Sequence, residues 1–192
     1  MPSLQKTLGL RVKSGYAIAI VVSGVVGDAK AFKVERRAEI PLTDNSEHGR
    51  FPYHPLIDLP GDEGVTASRR AVQTVQSVAQ KELATFLESV GKIRSATIIV
   101  GSLIDPDDIS NPHIRVHARE GELFRTVIAK ALDRAGIEYR LLREKDVYKE
   151  AATKLHCPEA QLRKEVDGAG KKIVKPWRAD EKSATAGALL LA

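Results

Sequence analysis

Hydrophobic and polar positions change period along the chain. From Thr7 to Val12 they alternate, with Leu8, Leu10 and Val12 on one face and Gly9, Arg11 and Lys13 on the other. That period of two predicts a strand with one face against a core. Ser14 and Gly15 supply a tight turn, and Tyr16 to Val22 is a near-continuous apolar run, as expected of a strand buried on both faces. Gly24 and Gly27-Asp28 mark the next turn, and Ala31 to Ile40 reads as a third strand. Short turns between consecutive strands imply an antiparallel meander.

The period then becomes helical. Val72, Val75, Ala79, Leu83, Phe86 and Val90 recur at helix spacing within a helix expected from Thr66 to Val90, stopped by Gly91. A short apolar strand follows at Ala96 to Val100. A second helix is expected from Ala118 to Ala135 and a fifth strand from Ile137 to Leu142. Asp146 is placed to cap a short helix through Leu155, Pro158 opens another through Val166, and a last helix begins at Trp177 or Arg178. Between the third strand and the first helix lies a proline- and glycine-rich loop, residues 41–65. It holds Phe51, Tyr53, Leu56 and Ile57, so part of it is expected to pack down. The order βββαβαβ followed by helices predicts one α/β domain over residues 1–192. Its mixed sheet has five strands, an antiparallel meander and then parallel strands, with helices on both faces.

Composition narrows the function classes. At 43% hydrophobic and 29% charged the chain has ordinary globular proportions, and no apolar run reaches membrane-spanning length. A single cysteine, Cys157, excludes an intramolecular disulfide. With no export signal visible, the expected compartment is the cytoplasm. A net charge of +5 allows a nucleic-acid partner without requiring one. Lys171, Lys172, Lys175 and Arg178 surround Trp177, a grouping that can hold phosphate and stack a base. Equally, Trp177 can anchor the last helix while the lysines are solvated.

Three stretches carry a family resemblance. Leu8 to Ile20 resembles the first hairpin of ribonuclease H-like nucleases, in particular the RuvC-type Holliday-junction resolvases. Arg143 to Val166 resembles their strand end followed by two short helices, and Trp177 to Ala184 the start of their last helix. The resemblance implies the ribonuclease H-like fold. It also implies phosphodiester cleavage by two divalent ions, held by acids from the first strand, the fourth strand and the last helix. The first-strand acid is replaced here by Arg11. The fourth-strand acid would fall near Val100-Gly101-Ser102, where there is none. On the last helix Asp180 and Glu181 remain, but the next acid position is Ser183.

The expectation is therefore a nuclease scaffold with a degenerate site, a pseudoenzyme needing no cofactor. It would bind DNA or RNA without strong sequence preference, or a protein partner, through Arg11, Lys13, His117, Lys171, Lys172, Lys175 and Arg178. The alternative is a divergent Mg²⁺-dependent nuclease or phosphohydrolase using Asp105, Asp180 and Glu181. Against it, Asp105-Pro106-Asp107-Asp108 reads first as a polar turn. A small-ligand or nucleotide-binding module lacks a visible phosphate motif.

His113 and His117 have a metal-compatible i, i+4 spacing, with His48 and His54 in the long loop. Pro112, Gly121 and the strand-like Ile114-Arg115-Val116 argue against a helix there, so surface or cap roles are preferred and no metal ligand is assigned. Of these histidines His117 is the better functional candidate, because it precedes the second helix beside the exit of the fourth strand.

Overall fold

A computed structural model describes residues 5–24, 32–170, 173 and 175–192. The strands are β1 (Gln5–Lys13), β2 (Tyr16–Gly24), β3 (Phe32–Pro41), β4 (Ser95–Val100) and β5 (Glu138–Arg143). The helices are α1 (Pro55–Asp58), α2 (Gly61–Val90), α3 (Pro112–Arg134), α4 (Glu144–Lys154), α5 (Glu159–Ala169) and α6 (Ala179–Leu189). The sheet order is β3-β2-β1-β4-β5. β3, β2 and β1 pair antiparallel, and β1, β4 and β5 pair parallel. The mixed five-stranded sheet expected from sequence is present.

Each face of the sheet has its own core. Leu8, Leu10 and Val12 of β1, with Ala17, Ala19 and Val21 of β2, pack under Val75, Leu83, Phe124 and Ile128 of α2 and α3. Ile18, Ile20 and Val22 of β2 and Ile99 of β4 face the other way, against α4, α5 and α6. The apolar run of β2 thus reflects burial on both faces. Among the described residues no helix is long and apolar enough to cross a membrane.

α6 packs differently from α2 and α3. Ser183 to Leu189 are all buried, so the helix has no polar stripe and its small residues let it lie directly on the strands. A Cβ on Gly9 would sit 1.8 Å from the Ala184 carbonyl oxygen, so β1 and α6 meet backbone to backbone. Two strand threonines satisfy carbonyls in the last turn of the helix. Thr7 Oγ1 donates to Ala188 O and Thr97 Oγ1 to Gly187 O, both at 2.8 Å.

Helix starts differ from the sequence expectation in three places. α2 begins at Gly61, five residues before Thr66, and α1 forms within the stretch taken as irregular. Gly64 is not a breaker: a Cβ there would lie 2.3 Å from the Pro55 carbonyl oxygen, so the glycine admits α1 against α2. α3 begins at Pro112. The Asn111 side chain accepts from Ile114 N–H at 3.1 Å, Pro112 follows as the first helical residue, and Gly121 is tolerated on the exposed side. Residues 113–117 are therefore helical. Asp146 does not cap α4, which starts at Glu144; it accepts from Arg143 Nε at 2.6 Å. Of the aromatics in the 41–65 segment, Tyr53 packs on the core and Phe51 stays exposed.

Gly9→Ala should destabilise the domain by about 3 kcal/mol, the upper part of the range for overpacking, because the obstacle is backbone and cannot rotate away. Urea unfolding checks this: an unchanged midpoint would contradict the close approach.

Candidate functional site

The alternation of β1 that puts Gly9 against α6 also points Arg11, two residues on, at the first turn of that helix. Arg11 is 5% exposed. Its Nη1 donates to Val12 O at 2.7 Å and its Nη2 to Glu144 Oε2, the first residue of α4. Its Nε lies 3.5 Å from Asp180 Oδ1 without forming a hydrogen bond, and Lys13 Nζ lies 3.6 Å from the same oxygen. Both carboxylates stand in the first turn of a helix, where the helix dipole favours negative charge. Two cations and two anions thus form one network at the end of β1.

The acids proposed from sequence do not come together. Asp180 and Glu181, adjacent in sequence, face different partners. Glu181 is 2% exposed, and its Oε1 accepts from Arg37 Nη2 of β3 at 2.8 Å while its Oε2 accepts from Arg178 N–H at 2.9 Å. Burial pushes the Glu181 carboxyl up, but the Arg37 hydrogen bond, two backbone N–H groups and the Arg37 charge outweigh it. The net pKa lies below the ordinary 4.5. Asp105 is exposed, and its Oδ1 accepts from Asp107 N–H at 2.9 Å, capping the single turn Pro106–Asp108. Among the described residues Asp105, Asp180 and Glu181 form no group that could share an ion. The acid missed from sequence is Glu144. Its signal was an acid directly after a parallel strand, at the carboxyl edge of the sheet.

Beside the network, the ends of β1 and β4 and one side of α3 enclose a cleft of about 320 Å³. Arg11, Lys13, Arg125, His117, Ser14 and Ser102 supply its polar lining, and among the described residues no carboxylate lines it, although Arg125 Nη2 donates to Glu122 Oε1 at 3.0 Å. Crevices at the carboxyl ends of parallel strands are where open α/β sheets hold ligands. Three of the residues proposed from sequence, Arg11, Lys13 and His117, meet here, and Arg125 joins them. Lys171 and Lys172 lie outside the described residues. Lys175 and Arg178 are exposed. Trp177 is an anchor: it packs on the second core and its Nε1 donates to Val166 O at 3.1 Å.

His117 also contacts two other histidines. Because α3 is continuous, His113 and His117 share a helix face, and His54, from the turn before α1, stands against them. His48 is elsewhere, in a groove beside Asp62 and Glu63.

No protein-family model matches the sequence, and no curated protein matches it. Solved structures do match the fold. Thermus thermophilus RuvC in complex with a Holliday junction substrate aligns over 97% of this chain and 92% of its own, at 14% identity and a TM-score of 0.56. A second Thermus thermophilus RuvC structure gives 12% identity and 0.53 over the same shares. The chain has a ribonuclease H-like fold of the RuvC type. At these identities the likeness to RuvC is one of fold.

Two outcomes follow from the charge pairs. Arg11→Met leaves Glu144 and Asp180 facing each other without their cation. Hydrogen bonds to charged groups are worth about 1.5–3 kcal/mol. Because Asp180 and Glu144 keep 27% and 38% exposure, water recovers part of that, and the expected loss is about 1.5 kcal/mol in urea unfolding. For Glu181, a folded pKa below the unfolded one gives stability that is complete above the unfolded pKa near 4.5 and fades as pH falls through the folded value. Glu181→Gln should lower stability at pH 7 and flatten the acid limb below pH 4.5. Parallel acid limbs for the two proteins would refute the pairing.

Proposed function

We propose that this protein is a noncatalytic nucleic-acid-binding protein that holds backbone phosphates in the cleft at the carboxyl ends of β1 and β4. One observation carries the reading: among the described residues the charged groups lining the cleft are Arg11, Lys13 and Arg125, while the carboxylates that pair with them, Glu144, Asp180 and Glu122, lie outside the lining. A polyanion gains from such a lining through charge neutralisation and counterion release. Phosphate contacts carry little sequence information, so binding should be indifferent to sequence. Since RuvC of the same fold holds a Holliday junction, branched DNA is the first shape to test.

The noncatalytic part rests on Arg11. A pair of divalent ions does not fit these residues, because the guanidinium already contacts both Glu144 and Asp180 and opposes a further cation beside them. Lys13 adds a second positive charge at the same Asp180 oxygen, and Glu181 is committed to Arg37. The positions at the end of β4, Val100, Gly101 and Ser102, offer no acid.

Gel shifts with junction, duplex and single-stranded DNA and RNA at rising salt test the proposal. Log affinity should fall with log salt by about 0.9 for each duplex phosphate neutralised. Lys13→Ala and Arg125→Ala should each reduce that slope by about one. With Mg²⁺ or Mn²⁺ the junction should stay intact. Cleavage abolished by Asp180→Asn would overturn the noncatalytic reading. Absence of any shift at low salt would redirect the search to protein partners.

A further inference from the structure

We propose that His54, His113 and His117 bind one divalent transition-metal ion of the zinc class, with Glu120 as the buried carboxylate that orients two of the three rings. This site is independent of the phosphate-binding reading, although His117 also lines the cleft.

One ring nitrogen from each histidine lies within 4.8 Å of the others. His113 Nε2 and His117 Nε2 are 3.3 Å apart, the separation that two donors have on a tetrahedral ion with bonds of about 2.05 Å. Ring centroids are 4.7 to 5.4 Å apart and the planes are steeply inclined, so the rings meet at their edges instead of stacking. The donors come from two directions: α3 supplies two at i, i+4, and the turn ending at His54 supplies the third.

Glu120 is the second, independent observation. It is 2% exposed and lies one turn beyond His117 on the same helix face. Its Oε1 is 2.8 Å from His54 Nδ1 and accepts from Tyr53 N–H at 3.3 Å. Its Oε2 is buried, 3.4 Å from His117 Nδ1, and has no formed hydrogen bond. An orphaned buried oxygen is costly, so this geometry calls for a proton on His117 Nδ1. A metal on Nε2 fixes that tautomer and completes the hydrogen bond. The same logic applies to His54, whose Nδ1 faces Glu120 and whose Nε2 is then free to ligate. A single carboxylate thus sets the tautomer of two ligands, the usual outer-shell arrangement around imidazole-bound metals.

Three imidazoles without thiolate or further oxygen donors suit Zn²⁺ and its neighbours, not Mg²⁺ or Ca²⁺. His113 and His117 are exposed, so the fourth position opens to solvent at the rim of the cleft. The bound ion ties the turn at 51–54 to α3 and adds positive charge beside the phosphate-binding lining.

The test is titration of the full chain with Zn²⁺ alone, by calorimetry and by competition with a chromogenic chelator. One saturable equivalent is expected. His113→Ala, an exposed position that should not disturb folding, should weaken binding at least 100-fold. Glu120→Gln, with folding checked by circular dichroism, should weaken it 10- to 100-fold. The Co²⁺-loaded protein should show the visible absorption of a four-coordinate ion, lost in His54→Ala. Excess Mg²⁺ should not displace Zn²⁺. Absence of saturable binding, or unchanged affinity in His113→Ala or Glu120→Gln, would overturn the site.

Discussion

At Gly9, α6 rests on β1 with no side chain between them. Gly9 leaves the Ala184 carbonyl in contact with strand backbone, and the threonines at 7 and 97 hold the far end of the helix through its carbonyls. This contact fixes both the height and the direction of α6 over the sheet. Its first turn must then fall over the residues that follow Gly9 on the same face of β1, which are Arg11 and Lys13. The position of Asp180 is a consequence of a missing Cβ 171 residues earlier in the chain.

A cation in that place has strict requirements. Arg11 is nearly sealed from water, and an unpaired charge there would be far more costly than any packing gain. Glu144 and Asp180 meet the requirement, and each sits where a helix dipole already favours a carboxylate. The network is balanced, with Glu144 and Asp180 against Arg11 and Lys13, and among the described residues its cations, not its carboxylates, line the adjoining cleft. The arginine that speaks against paired divalent ions is therefore also one of the cations on the cleft wall.

The sheet was legible because its strands obey simple periods. Alternation in β1 gave one buried face, and the unbroken apolar run of β2 gave two. Composition misled wherever proline and glycine had a local job. The proline and glycine content of 41–65 suggests an irregular loop, yet Gly64 is a packing contact, and Pro112 and Gly121 argue against a helix that Asn111 caps. Of the candidate site residues, Arg11, Lys13 and His117 line one cleft. The candidate acids do not meet, because neighbours on a helix point about 100° apart. Asp180 turns to β1 and Glu181 to β3, a divergence that adjacency in the sequence conceals.

The histidine cluster was hidden for a different reason. His54 and His113 are separated by α2 and β4, and no local pattern announces that the turn before α1 will dock on α3. The docking group is Glu120, whose Oε1 receives the Tyr53 N–H and faces His54 Nδ1. Once α3 is known to start at Pro112, His113, His117 and Glu120 fall on one stripe at i, i+4 and i+7. A buried acid on that stripe needs donors, and the 51–54 turn supplies them. The burial of one carboxylate thus explains why this part of the long segment packs down and why three imidazoles converge. It also places His117, the residue shared by cluster and cleft, on the wall of α3 that faces Arg11 and Lys13.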